Sequence, residues 1–207
     1  MKLLRRLFGG GRPDVENSVV IVSGLPRSGT SMLMAMIAAG GLETVVDGIR
    51  EADEDNPRGY HELERVKELD KDGDATWLDE AHGKCVKVIS FLLQHLPDKH
   101  HYKIVFVRRN LQEVLSSQRK MLERRGEAPG HSDDKEMARM FAAHLSKVEQ
   151  QLKNRSNCEV LYVEHRATLQ TPSEVALKVG RFLGDHLDVE KMTSVVDDQL
   201  YRNRATQ

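Results

Sequence analysis

Aromatic residues and net charge are both scarce in this sequence. Phe, Trp and Tyr make up 5% of its 207 residues, which argues against a binding pocket built for flat phenols. Charged residues make up 30%, but the two signs nearly balance and the formal net charge is −1. Nucleic-acid binding normally requires a basic excess, so the bulk charge does not indicate a nucleic-acid partner.

Cysteine is scarce as well, and the N-terminus has no long apolar run. Cys85 and Cys158 lie in apolar segments predicted to be strands, so we expect buried, reduced thiols rather than a disulfide. Residues 1–8 are basic and partly apolar but too short for a signal peptide or a membrane span. We expect an N-terminal arm over residues 1–16, a single α/β domain over residues 17–207, no integral membrane segment and a cytoplasmic location.

The most informative segment covers residues 24–31 and reads Gly-Leu-Pro-Arg-Ser-Gly-Thr-Ser. Its spacing matches the phosphate-binding P-loop pattern G-x-x-x-x-G-x-[ST]. An apolar run precedes it and good helix formers follow it, so backbone N–H groups and the positive end of a helix should converge on one point. Thr30 holds the position of the usual P-loop lysine, and Arg27 is the one cation within the segment. The pattern predicts an anion site that differs from those of ATP and GTP users.

A second anion site is predicted at the end of another strand. The apolar segment over residues 102–108 runs into Arg109, and a helix start follows at Asn110 with Glu113 three residues later. Guanidinium groups beside a helix N-terminus bind anions in bidentate geometry. A ligand that carries two separate phosphate groups would suit both sites.

No metal site is predicted. A nucleotide kinase usually holds magnesium with an Asp at the end of a strand. His95, His100 and His101 surround a loop with a proline, without the cysteine or carboxylate pattern of a metal site. The predicted strands cover residues 18–23, 84–90, 102–108 and 158–163, and the last three lack an Asp at that position.

The alternation of strands and helices predicts a mostly parallel sheet flanked by helices. Helix starts are predicted at Asn110, at Asp133 and at Thr171-Pro172. An amphipathic helix is also expected after Glu62. The helix after Asp133 is expected to turn the following side chains inward: Met137, Met140, Phe141, His144, Leu145 and Val148.

These motifs together resemble those of sulfotransferases. Residues 24–31 look like the 5′-phosphosulfate loop of that family, and residues 107–117 look like its 3′-phosphate motif, with Arg109 and Ser117 as the key pair. Residues 56–62 and 200–204 are similar to segments of small bacterial members. The chain lacks the Gly-rich Arg-Lys-Gly segment and the Lys-Thr-His base of the larger cytosolic enzymes.

The resemblance implies a three-layer P-loop-type α/β fold with a mostly parallel central sheet flanked by helices. It also implies a transferase that uses 3′-phosphoadenosine-5′-phosphosulfate (PAPS) and releases adenosine 3′,5′-bisphosphate (PAP). Transfer to a hydroxyl or amine would be in line and independent of metal. The expected acceptor is a small molecule, a glycan or a peptide, and no nucleic acid is expected as a partner.

The resemblance and the local chemistry together suggest a set of site residues. Arg27 would stabilise the charge that develops on the leaving oxygen. Glu62 is the expected general base, with Glu51 in reserve, although Glu62 could instead cap a helix. Lys87 would assist the transferring sulfonate unless it faces solvent. The residues expected to bind the nucleotide are Pro26, Arg27, Ser28, Gly29, Thr30, Ser31, Arg109, Ser117, Tyr201 and Arg202.

A second class of function stays open at this point. The chain could be a non-catalytic nucleotide-binding protein or a degenerate P-loop kinase, because the base is weakly assigned and the chain is short. Magnesium-dependent ATP binding would indicate the kinase. Binding of PAP without magnesium would indicate the sulfotransferase or its non-catalytic relative.

Overall fold

Four parallel strands form the central sheet of the computed structural model, which describes residues 14–49, 59–71, 74–127 and 133–197. The strand order is β2-β1-β3-β4, and every neighbouring pair is parallel. The predicted α/β class is therefore confirmed. The strands are β1 (Val19–Gly24), β2 (Cys85–Lys87), β3 (Tyr102–Arg108) and β4 (Cys158–Glu164).

Helices connect the strands and cover both faces of the sheet. The α-helices are α1 (Thr30–Ala39), α2 (Leu111–Arg124), α3 (Asp134–Asn154), α4 (His165–Gln170), α5 (Pro172–Phe182) and α6 (Val189–Ser194). Short 3₁₀ helices cover Val15–Asn17, Glu64–Glu68, Thr76–Ala81 and Ser90–His95. Within the described residues, no helix is long and apolar enough to cross a membrane.

The alternation of side chains along β1 creates two hydrophobic cores. Val20 and Val22 face one side, where they pack in a cluster with α1, α5 and α6. Val19 and Ile21 face the other side, where they pack with the last three 3₁₀ helices and the C-terminal half of α3. Both sides of a parallel strand are buried when helices cover both faces, which accounts for the uninterrupted apolar run of β1.

The three predicted helix starts are confirmed. The Asn110 side chain accepts a hydrogen bond of 2.9 Å from the Gln112 backbone N–H at the start of α2. The Asp133 side chain accepts one of 3.2 Å from the backbone N–H of Lys135 at the start of α3. Pro172 occupies the first position of α5, where its missing N–H costs nothing.

Three expectations about local structure are wrong. The strand predicted over residues 84–90 stops at Lys87, because this edge strand pairs with β1 over three residues only. The segment after Glu62 forms a single 3₁₀ helix rather than an amphipathic α-helix. Met140 is 59% exposed, because α3 packs on the sheet through Val148 and Leu152, near its C-terminal end.

The thiol prediction is supported, and two others lie partly outside the described residues. Cys85 is buried in β2, Cys158 is half-buried in β4, and both thiols are free. Burial raises the pKa of both, so they are poor nucleophiles. The N-terminal arm lies mostly outside the described residues, and the single-domain organisation stays a prediction.

Candidate functional site

The turn between β1 and α1 is shaped by two glycines. A Cβ at Gly24 would lie 2.5 Å from Ser28 Oγ and 2.7 Å from the Val107 carbonyl oxygen, so the loop can approach β3 only without a side chain there. Gly29 has a φ of 101° and caps α1, a backbone conformation that favours glycine. The loop therefore closes tightly over the end of β1 and directs the first turn of α1 towards it.

The loop offers unsatisfied hydrogen-bonding capacity towards a ligand. Ser28 is 1% exposed, and its Oγ has no hydrogen-bond partner among the residues that the structure describes. The N-terminal amides of α1 carry the partial positive charge of a ten-residue helix. A buried hydroxyl beside such a helix end is well placed to receive an anion.

The two predicted anion motifs meet at this loop. Arg27 Nε donates a hydrogen bond of 3.1 Å to Ser117 Oγ in α2. Arg109 Nη1 donates one of 2.9 Å to the backbone carbonyl of Arg27. Residues that are 90 and 82 positions apart in sequence are thus joined. The end of β3 and the first two turns of α2 are therefore connected to the loop by two side-chain hydrogen bonds from arginines.

Arg109 is held by a buried carboxylate. Its Nε donates to Glu113 Oε2 at 3.0 Å, and the two side chains are only 9% and 7% exposed. From its position near the start of α2, Glu113 was expected to take part in helix capping. In the structure the Asn110 side chain caps the helix instead. Glu113 fixes the guanidinium orientation, and a planar guanidinium with two partners keeps few rotamers.

Lys87 and Glu62 form a second cluster on the other side of the loop. Lys87 Nζ lies 3.1 Å from Glu62 Oε1 and 3.4 Å from Ser31 Oγ. It also donates to the backbone carbonyl of Tyr60, which accepts a further bond of 3.3 Å from Ser31 Oγ. Lys87 is 6% exposed, so the alternative of a solvated strand residue is wrong.

Glu62 is an ion-pair partner rather than a helix cap. Its side chain is 21% exposed and faces Lys87. The 3₁₀ helix that follows receives its cap from elsewhere, because Asp47 Oδ2 accepts a hydrogen bond of 2.6 Å from the Glu64 backbone N–H. The Lys87 ammonium therefore contacts both Glu62 and Ser31, and Ser31 belongs to the first turn of α1.

Two histidines at the site were not predicted from the sequence. His61 is half-buried with a φ of 49°, and burial together with the charge of Lys87 lowers its pKa. His165 is 6% exposed and lies against Gly29, with its Cδ2 2.5 Å from where a Cβ would be. Burial and the charge of Arg109 lower the pKa of His165 to about 3, against the opposing effect of Glu113. Both imidazoles are therefore neutral near pH 7.

The sequence contained one signal for His165. It follows β4 directly, and the carboxyl ends of parallel strands meet at the edge of a sheet where α/β proteins bind ligands. His61 had no comparable signal, because its position depends on contacts between a loop and the buried Lys87.

The other predicted residues lie in the loop itself or outside the described part. Pro26 is exposed and Thr30 is buried at the helix start. Glu51, Tyr201 and Arg202 fall outside the described residues. Over residues 14–49, 59–71, 74–127 and 133–197, no group of three or more His, Cys, Asp or Glu side chains is arranged to hold a metal ion.

Comparison with known proteins identifies the fold. No protein-family model matches the chain, and no curated protein matches it. A sulfotransferase from Alicyclobacillus acidocaldarius matches with a TM-score of 0.55 and 14% identity, over 81% of each chain. The mouse sulfotransferase SULT7A1 complexed with PAP matches with a TM-score of 0.55 and 16% identity, over 93% of this chain and 69% of the mouse chain. The chain has the fold of these sulfotransferases, as the motif resemblance implied.

His165 should make the stability of the fold depend on pH. A histidine in the unfolded chain binds a proton near pH 6.5, whereas the folded group does so near 3. The unfolded state therefore binds more protons in this window, so stability is full above pH 6.5 and falls as the pH is lowered. We expect the free energy of unfolding to fall between pH 7 and pH 5 by about 2 kcal/mol more in the wild type than in His165→Gln. Urea denaturation at both pH values measures this, and equal losses would contradict a buried neutral imidazole.

Proposed function

We propose that this protein is a PAPS-dependent sulfotransferase that acts on a hydroxyl or amine acceptor. The strongest support is the convergence of Arg27, Arg109 and Ser117 at the end of one P-loop-like turn. A nucleotide with a 5′-phosphosulfate and a separate 3′-phosphate matches two adjoining anion sites of this kind. The mouse neighbour was crystallised with PAP, which supports the same class of ligand.

The residues of the loop fit such a ligand. Gly24 lets the loop approach β3 closely, the start of α1 supplies backbone N–H groups without a partner inside the helix, and Ser28 Oγ adds a buried hydroxyl without a partner in the described residues. In this proposal the loop and α1 bind the 5′-phosphosulfate end. Arg109 and Ser117 bind the 3′-phosphate, with Glu113 keeping the Arg109 guanidinium in place.

Arg27 has the central electrostatic role in the proposal. Sulfuryl transfer breaks the bond between sulfur and the phosphate oxygen, forms a bond from sulfur to the acceptor, and releases the acceptor proton. Negative charge therefore grows on the leaving oxygen, and a fixed guanidinium stabilises it. The absence of a P-loop lysine at Thr30 and of an Asp at the ends of the predicted strands favours transfer without a metal ion.

The proton must pass to a base near the loop, and Glu62 is our first candidate. Its carboxylate is within 3.1 Å of the Lys87 ammonium, which itself lies 3.4 Å from Ser31 Oγ. Lys87 would then serve two groups, the carboxylate and the transferring sulfonate. His61 competes for the role, because a neutral imidazole is a proton acceptor at pH 7.

The donor assignment predicts which nucleotide stabilises the fold. We expect PAP at about 100 times its dissociation constant to raise the free energy of unfolding by about 2.7 kcal/mol, equally with and without magnesium. ATP with magnesium should give a smaller shift at the same concentration. Thermal-shift measurements over a nucleotide panel test this. An equal or larger shift with ATP and magnesium would favour the kinase alternative.

Arg109 should distinguish the two ends of the nucleotide. Because removing Arg109 takes an ion-pair partner from the buried Glu113, the variant is best made as Arg109→Ala with Glu113→Gln. We expect PAP to bind about 10- to 100-fold more weakly, since a hydrogen bond to a charged group contributes about 1.5–3 kcal/mol.

The specificity of that loss is its control. Adenosine 5′-phosphate lacks the 3′-phosphate, so its affinity should change little in the same variant. Arg119→Ala, which removes an exposed arginine from the same helix, should leave both affinities unchanged. Equal weakening of the two nucleotides by titration calorimetry would show that the 3′-phosphate site is assigned to the wrong residue.

The base can be identified by comparing isosteric variants. Glu62→Gln should leave PAP affinity nearly unchanged and lower turnover by about 10²- to 10⁴-fold, measured from PAPS with a library of alcohol, sugar and amine acceptors. His61→Gln and Glu51→Gln serve as matched variants. Loss of turnover in His61→Gln alone would assign the role of base to His61. The acid limb of the wild-type pH profile would then lie below pH 6.5, because the pKa of His61 is lowered. Turnover that survives in all three would reject this set of bases.

A further inference from the structure

His165 connects two parts of the site that are distant in sequence. It is the first residue of α4 and follows β4 without an intervening loop, so its backbone is fixed by the sheet. Its ring is 6% exposed. A rigid backbone and a buried ring together place the imidazole in one position beneath the P-loop-like turn.

The first neighbour of the ring is Gly29. A Cβ at Gly29 would lie 2.5 Å from His165 Cδ2, 3.3 Å from Nε2 and 3.6 Å from Cγ, so the Cδ2–Nε2 edge packs directly on the glycine backbone. Gly29 caps α1, and its carbonyl accepts a hydrogen bond of 3.2 Å from the Leu33 N–H in the first turn. The ring edge therefore supports the peptide that orients the N-terminal amides of α1.

The Arg109–Glu113 pair also acts on the ring, through its charges. Both charges act on the imidazole and in opposite directions, Arg109 more strongly than Glu113. Arg109 in turn holds the Arg27 carbonyl at 2.9 Å. His165 thus contacts the helix-capping glycine and is close enough to Arg109 to be affected by its charge.

A neutral ring suits this position because it adds no charge. A third cation would repel Arg109, and a carboxylate would compete with the bound anion. A flat imidazole instead packs closely on Gly29, and such contacts are costly to lose in a packed interior.

We propose that His165 is a positioning residue that holds Gly29, and with it the loop to which Arg109 hydrogen-bonds, in the geometry needed for both anion sites at once. It acts through the contact of its ring edge with the loop, without transferring a proton or binding phosphate itself. The nature of the ligand rests on the proposed function, whereas the contact between His165 and the loop does not.

The contact is testable without any ligand. Gly29→Ala should lower the urea midpoint of the wild type strongly, because the new Cβ meets the ring and the backbone conformation is strained. In a His165→Ala background the clash is gone and only the strain is left, so the same substitution should lower the midpoint by half as much or less. Equal decreases in the two backgrounds would overturn the proposed contact. Gly41→Ala, at a φ of 100° with nothing near its Cβ, is the matched control and should be additive with His165→Ala.

The positioning role is tested by nucleotide affinity. We expect His165→Ala to weaken PAP and adenosine 5′-phosphate by about tenfold each, unlike the loss of Arg109, which should affect PAP alone. His165→Gln, whose planar amide reaches the place of the ring edge, should restore affinity to within threefold of the wild type. His165→Ser, which has no atom at the position of Cδ2, should behave like His165→Ala.

The pH dependence separates positioning from charge. The ratio of PAP affinities between the wild type and His165→Gln should be constant from pH 6.5 to pH 8, because neither side chain changes charge beside Arg109 and Glu113. A ratio that rises towards low pH would indicate an imidazolium that binds phosphate and would overturn the inference, as would unchanged affinity in His165→Ala. If the wild type binds no PAP, the proposed function fails, and the ligand-free comparison still decides the role of His165.

Discussion

The close approach of Gly24 to Val107 is the constraint on which the site depends. The two residues are register partners at the carboxyl ends of β1 and β3, and a Cβ at Gly24 would lie 2.7 Å from the Val107 carbonyl oxygen. Because the loop leaves β1 pressed against β3, the arginine that follows β3 can hydrogen-bond to the loop backbone. A wider turn would separate Arg109 from the loop, and the proposed nucleotide could then not contact both at once.

The site concentrates cations and limits their mutual repulsion with two carboxylates. Arg109 pairs with Glu113 and Lys87 pairs with Glu62, each at about 3 Å. Breaking a buried pair of this kind typically costs about 3–5 kcal/mol because a buried charge loses its partner. The three N–H donors of the Lys87 ammonium are already directed at Glu62, Ser31 and the Tyr60 carbonyl. The free protein can therefore keep its cations in place before a ligand arrives.

The parts of the fold and site that sequence predicted are those that local patterns determine. The loop, the helix caps at Asn110 and Asp133, and the strand that ends beside Arg109 each depend on neighbouring residues. What the sequence missed depends on tertiary packing. Apolar periodicity would bury Met140, but α3 packs against this core through Leu145, Val148 and Leu152 in its C-terminal half. The position of His165 against Gly29 arises from strand order, which single-sequence patterns do not specify.

The pairing of Glu62 with Lys87 limits what that carboxylate can do as a base. An ammonium 3.1 Å away favours the charged carboxylate and makes it a weaker proton acceptor than an isolated one. In the proposed reaction this cost would fall if Lys87 turned towards the sulfonate, because the carboxylate would then lose its partner when the acceptor proton leaves. His61 needs no such rearrangement, since burial and Lys87 already keep it neutral. The choice between Glu62 and His61 as the base therefore depends on whether the Lys87 ammonium moves during the proposed reaction. The lysine that would bind the transferred sulfonate would thus also determine which group accepts the proton.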